Sequence, residues 1–192
     1  IIGVGSGPFA NFLHKYNISH PNLIVYPQFF DDKKLLLSNR RSYIYYLKRL
    51  IAQRDVIKIA LWPDYTSYRH ASRVAQIELL KHVTFIVPIH SLDDVAIAEE
   101  LASHGYSVFT GYASDPKYRD YTLSDFMKST EKFKRWYLGV STKHELNEAL
   151  LFNFDGMDIT GFLFGDHNIR RNPEQLKEKI TKLFSFICKN TY

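Results

Sequence analysis

The stretch RWYLGVSTKHELNEALLFNFDGMD, residues 135–158, decides the fold class. Its first part, Trp136–Val140, is a short apolar run of the kind that forms a strand buried on both faces. Thr142 then precedes KHEL, with Glu145 three residues on, which is the capping-box signature of a helix start. The spacing predicts a helix over Lys143–Leu151, and a second apolar run follows from Met157 to Phe164. A strand, a helix and another strand in about 30 residues make one unit of a parallel sheet.

The same alternation extends outward in both directions. Apolar runs recur at Ile1–Val4, Leu23–Tyr26, Ile57–Trp62, Thr84–Ile89 and Tyr106–Thr110. Helical spacing appears at Ser42–Ala52, Ala71–Leu80, Leu92–Ala102 and Pro173–Cys188, the last opened by Pro173 and Glu174. Strands alternating with helices mean α/β. We expect one domain over residues 1–192, a (β/α)8 TIM-type barrel, compact or incomplete because the usual size is ~250 residues. The chain opens directly in a strand without an initiator Met, so residues upstream of Ile1 are expected to be missing.

Composition narrows the function classes. With 192 residues, 45% hydrophobic and 15% aromatic, disorder is excluded. One cysteine, Cys188, builds neither an internal disulfide nor a cysteine zinc site. No apolar run reaches the ~18 residues of a membrane span, and no signal-like segment is present, so a cytoplasmic location is expected. The net charge of +5 is unevenly spread. Residues 33–58 carry Lys33, Lys34, Arg40, Arg41, Lys48, Arg49, Arg54 and Lys58 against Asp55, and residues 128–143 are similarly basic. This is either a phosphate-tracking surface or a set of solvated helix faces.

Motifs for common cofactors fail. Gly3-Val4-Gly5-Ser6-Gly7-Pro8 misplaces the third glycine of a dinucleotide loop, and no acidic residue ends a second strand at the needed distance. There is no Walker A loop, no GxSxG elbow and no HxxxH or HExxH pair. We expect no cofactor and no metal. What remains is carboxylates at strand ends, where a barrel gathers its catalytic groups. Asp64 ends IALWPD, Asp155 and Asp158 bracket the run FDGMDIT, and Asp166 follows in GFLFGD; His90 ends FIVPIH. Each aspartate alone reads equally as a turn or cap residue. Together they form a candidate acid/base and nucleophile set.

These segments resemble the tRNA-guanine transglycosylase family, (β/α) barrels that exchange guanine for a 7-deazaguanine base of the queuosine or archaeosine type. The stretch ending at Asp158 is similar to that family's "YLxGVGTPEDLLEAV…GVDMFDC". The resemblance implies that Asp158 is the nucleophile, with Asp155 as the preceding aspartate. It further implies that Asp64 reads the guanine edge, that His90 replaces a base-reading glutamine, and that Gly111 and Tyr112 face the base. Trp62 or Tyr112 would stack on the extruded base. Arg40, Arg41, Arg135, Arg170 and Arg171 would hold the phosphates of tRNA or DNA. Two departures stand out: Gly5 occupies the place of a catalytic aspartate, and the zinc ligands are absent. The segment around Val140 is also similar to phosphosugar-binding barrels of the thiamine-phosphate synthase kind ("GVSTHSLEEA…GADYI").

Three functions follow as expectations. One is a base-exchange glycosyltransferase acting on nucleic acid. Another is a non-catalytic nucleic-acid-binding subunit of the same fold, which Gly5 favours. The third is a phosphosugar barrel, whose phosphate loop would include Gly161 and Gly165. A homo-oligomer is compatible with each.

Overall fold

The computed structural model describes residues 1–32, 42–165 and 167–189. Eight parallel strands alternate with helices along this chain. They are β1 (Ile2–Val4), β2 (Leu23–Val25), β3 (Phe29–Phe30), β4 (Ile59–Leu61), β5 (Thr84–Ile89), β6 (Ser107–Ala113), β7 (Lys134–Val140) and β8 (Gly156–Ile159). The described helices are α1 (Pro8–Lys15), α2 (Ser42–Ala52), α3 (Tyr68–Val74), α4 (Val95–Ser103), α5 (Leu123–Ser129), α6 (Lys143–Leu151), α7 (His167–Arg170) and α8 (Pro173–Lys189). None is long and apolar enough to cross a membrane.

All strands lie in one sheet, in the order β2-β1-β8-β7-β6-β5-β4-β3. Neighbours follow chain order with no switch point, and β1 pairs with β8. The two edges of that order, β2 and β3, are joined by Tyr26, Pro27 and Gln28 alone. A flat sheet of eight strands would set its edges about 34 Å apart. Four residue steps from Val25 to Phe29 reach at most about 14 Å. The sheet therefore curls onto itself, and the fold is a TIM-type (β/α)8 barrel in which a tight turn replaces one helical crossover. In that turn Gln28 N donates to Val25 O at 3.0 Å, across a cis Tyr26–Pro27 bond.

Two separate cores confirm the closure. The larger one packs the outer strand faces against the helices. The smaller one, Phe29, Ile59, Ile86, Phe109 and Trp136, fills the barrel interior. Parallel register puts paired residues on one face, so the chain of partners Pro88, Gly111, Trp136 and Gly156 forms one interior layer. Large rings need small residues opposite them in so narrow a barrel. A Cβ on Gly156 would lie 2.3 Å from the Trp136 ring, and one on Gly3 would lie 2.5 Å from Phe29. Phe29 and Trp136 stack with centroids 5.5 Å apart.

Local boundaries differ from the expected ones for identifiable reasons. The run Met157–Phe164 is strand only to Ile159 and then turns into a 3-10 helix, Gly161–Phe164. The pattern Ala71–Leu80 splits into α3 and a 3-10 helix at Ile77–Leu80. Strand β3 lies beyond the apolar run Leu23–Tyr26, because Pro27 interrupts the pattern. By contrast, α6 starts where the capping box placed it. Thr142 Oγ1 accepts from Glu145 N at 3.2 Å, while the Glu145 carboxylate accepts from Ser141 N at 3.1 Å.

Candidate functional site

The barrel is plugged below and open above. Phe29, Ile59, Ile86, Phe109 and Trp136 are all buried. One layer nearer the C-terminal strand ends, Leu61, Leu138, Gly139, Asp158 and Gly5 are partly exposed. The change in exposure marks a cleft whose floor is the aromatic plug. Barrel active sites occupy this C-terminal face.

Asp158 is the carboxylate on that floor. Between Tyr137 and Val140 strand β7 spends three steps against two on β8, which is a β-bulge. Gly139 makes the bulge at φ 73, a left-handed conformation that suits glycine. The bulge turns Gly139 N toward Asp158, which accepts its hydrogen bond at 3.2 Å. The other carboxylate oxygen accepts from Trp136 Nε1 at 2.8 Å. The plug and the bulge thus hold Asp158 in one orientation.

On the opposite wall, β4 and β5 bring Asp64 and His90 together. His90 Nε2 lies 3.2 Å from Asp64 Oδ1, a close contact whose angle falls outside that of a regular hydrogen bond. His90 Nδ1 lies 2.7 Å from Tyr118 O. A carbonyl only accepts, so Nδ1 carries a proton; Nε2 faces a carboxylate, so a second proton is favoured there as well. The Asp64 contact accordingly raises the His90 pKa, against the opposing effect of burial. The ring is clamped between two loops, and its protonated form is favoured by Asp64. The backbone of His90 adds to the clamp, since its N donates to Asp94 Oδ2 at 2.9 Å and its O accepts from Asp120 N at 3.1 Å.

A third group gathers over the last strands. Thr160 Oγ1 donates to Ser141 Oγ at 3.1 Å, joining the ends of β8 and β7. Beside them Arg170 crosses the Gly161 backbone. A Cβ on Gly161 would meet Arg170 Cδ at 3.2 Å and Nη1 at 3.5 Å. The guanidinium also covers the Phe162 ring at 4.6 Å. Two hydroxyls and a guanidinium are an anion-recognising set.

Sequence reasoning missed Asp31. It follows β3 in FFDD, the same strand-end pattern that singled out Asp64. Asp31 is buried and accepts from Ser6 N at 2.7 Å and Ser6 Oγ at 3.1 Å. Its Oδ2 would sit 2.2 Å from a Cβ on Gly5. The Asp31 carboxylate fills the space that a side chain at position 5 would occupy.

The other expected site residues are dispersed. Asp155 precedes β8 and therefore lies at the N-terminal rim, three residues or about 10 Å of strand from Asp158. There it accepts from Arg135 N at 2.8 Å. Trp62 is fully buried and donates from Nε1 to Thr66 O at 2.6 Å, so no ring face is open for stacking. Tyr112 is buried among Tyr121, Phe126, Tyr137 and Phe154, outside the barrel. Gly111 is in the interior layer, pressed by Leu138 and Ile86. The Arg135 guanidinium donates inward to Thr130 Oγ1 and Met127 O. Arg171 is exposed beyond α7. Arg40, Arg41 and Asp166 lie outside the described residues.

Comparison with known proteins places the chain. No protein-family model matches it. Over 190 residues it is 43% identical to the uncharacterized protein ORF192 of Acidianus two-tailed virus, covering 98% of this chain and 94% of that one. The chain belongs to the ORF192 family. Among solved structures it is similar to thiamine phosphate pyrophosphorylase from Pyrococcus furiosus, at 14% identity and a TM-score of 0.49, with 95% of each chain covered. The transglycosylase resemblance is corrected: neither a family model nor the relative supports it, and the residues it implied for the base are packed away. The physical reason is visible at the motifs. They matched because apolar parallel strands ending in Asp are common to barrels, whereas the base-stacking residues they implied are packed into walls.

Proposed function

We propose that the barrel mouth binds a small phosphate ester, of the phosphosugar type, and performs acid–base chemistry on it. The observation that carries this reading is Arg170 laid over the Gly161 backbone beside the Thr160–Ser141 hydroxyl pair. Barrels often place a phosphate site in the loops after the late strands. A guanidinium gives a phosphate paired N–H donors in a fixed fork. Across the mouth, His90, whose protonated form Asp64 favours, is placed to offer a proton. Asp158, held on the floor between them by Trp136 and Gly139, is the carboxylate beside which the hydroxyls of the ligand would lie. Together they supply an acid and a base on opposite sides of a bound sugar.

The test is calorimetric titration of the protein with ribose 5-phosphate and with ribose. The phosphate ester should bind and the free sugar should not. Arg170→Ala should weaken ribose 5-phosphate binding at least about tenfold, the loss of one charge-assisted contact. Equal binding of ribose and ribose 5-phosphate would refute the reading.

A further inference from the structure

We infer that the phosphorylated ligand of this mouth carries a flat ring, making it a mononucleotide, and that Tyr65 is the surface on which the ring stacks. The inference rests on the phosphate-ester reading and adds to it the class of the ligand.

Tyr65 follows Asp64 directly, at the C-terminal end of β4. Its backbone sits at φ 54, the left-handed region that a bulky L-residue rarely adopts. Such a conformation is strained and persists only when something offsets it. Its neighbours hold the turn, Thr66 O accepting from Trp62 Nε1 at 2.6 Å and Thr66 Oγ1 donating to Asp64 O at 3.1 Å, while the Tyr65 side chain itself is 71% exposed. The strained backbone therefore presents a ring to solvent. That ring lies 5.2 Å from the His90 ring, tilted by 35°. The pair forms a ledge of two neighbouring rings.

Two more exposed aromatics share the same rim. Tyr118, 54% exposed, lies in the loop after β6 and accepts from His90 through its carbonyl. Phe162, 68% exposed, follows β8 beneath the Arg170 guanidinium. Every second strand from β4 to β8 thus ends near an open ring. A phosphosugar alone, held by its phosphate and hydroxyls, would cover little of such surfaces. A purine or pyrimidine would cover more, since aromatic side chains stack on any base through its π-face. With the phosphate against Arg170, Thr160 and Ser141, and the ribose over Asp158, the base reaches the Tyr65–His90 ledge.

The experiment compares adenosine 5′-monophosphate with ribose 5-phosphate, which differ by the base. Wild-type protein should bind the nucleotide at least about tenfold more tightly, the scale of one stacking contact. Tyr65→Phe should keep that advantage. Tyr65→Gly should abolish it while raising the melting temperature, because glycine adopts φ 54 without strain. Stability gained and discrimination lost in one variant would distinguish a ligand surface from a structural residue. If ribose 5-phosphate binds and the nucleotide binds no better, the ring inference is overturned and the phosphate reading survives. If neither binds, both fall. If Tyr65→Gly keeps the nucleotide advantage, the stacking surface is elsewhere and the role of Tyr65 is refuted.

Discussion

Gly156→Ala tests whether the aromatic plug supports the site. The added Cβ would lie 2.3 Å from both Cε3 and Cζ3 of Trp136, well inside contact distance. The indole has little room to yield. It is fully buried, stacked on Phe29 at 5.5 Å and set edge-on to Phe109 at 5.4 Å. Overpacking of this kind costs about 1–3 kcal/mol. If the ring tilts, Nε1 also leaves the Asp158 carboxylate, and a hydrogen bond to a charged group contributes about 1.5–3 kcal/mol. The two effects come to about 2.5–6 kcal/mol, which in a chain of this size lowers the melting temperature by roughly 5–24 °C. Urea unfolding followed by tryptophan fluorescence measures it. Trp136→Phe removes the clashing half of the indole, so the double variant should be more stable than the sum of the single changes by at least about 1 kcal/mol. A loss below about 1 kcal/mol in Gly156→Ala, with additive behaviour in the double variant, would refute the plug as drawn.

Two further outcomes are expected. The His90 pKa is raised in the folded state by Asp64, so its stabilisation is fully present below the ordinary histidine value of about 6.5 and is lost as pH rises through the folded value. Urea titrations of wild type and His90→Gln between about pH 5.5 and 9 should show the stability difference shrinking with pH; a difference that grows would contradict the ion pair. Gly5→Ala would set a methyl 2.2 Å from Asp31 Oδ2 and should cost about 1–3 kcal/mol, read as a lower urea midpoint. A neutral substitution there would mean that the carboxylate does not occupy that space.

The barrel was legible in the sequence because its signal is periodic: apolar runs, each followed by a capped helical pattern. Asp64 and His90 were legible for the same reason, each being the first polar group after a run. Residues inside the runs were not. A strand of a parallel sheet is apolar on both faces, so nothing in LWP or TGYA distinguishes the buried wall positions of Trp62 and Tyr112 from the cleft. Asp155 and Asp158 differ by three residues, yet one precedes β8 and the other points into the barrel. That assignment depends on where the strand begins, the least regular feature of a sequence pattern. Asp158 also depends on the Gly139 bulge, which a single extra residue creates and no periodicity announces. Arg135 looked like a surface cation within a basic segment, but its guanidinium is consumed by Thr130 and Met127.

The three-residue tie between β2 and β3 has a consequence for how the chain tolerates being cut. Everywhere else, opening a loop leaves the ring of strands intact, and circular permutation at exposed loop tips is commonly accepted. A break at Tyr26–Gln28 is different. Among the described strands, β2 and β3 share no ladder of their own, so the covalent path and a few side-chain contacts, such as Ser6 on Asp31, hold those two margins together in place of strand pairing. New termini there would free both margins, each a row of unpaired N–H and C=O groups able to recruit another copy. The permutant nicked at this turn should polymerise edge to edge, while permutants opened elsewhere stay dispersed.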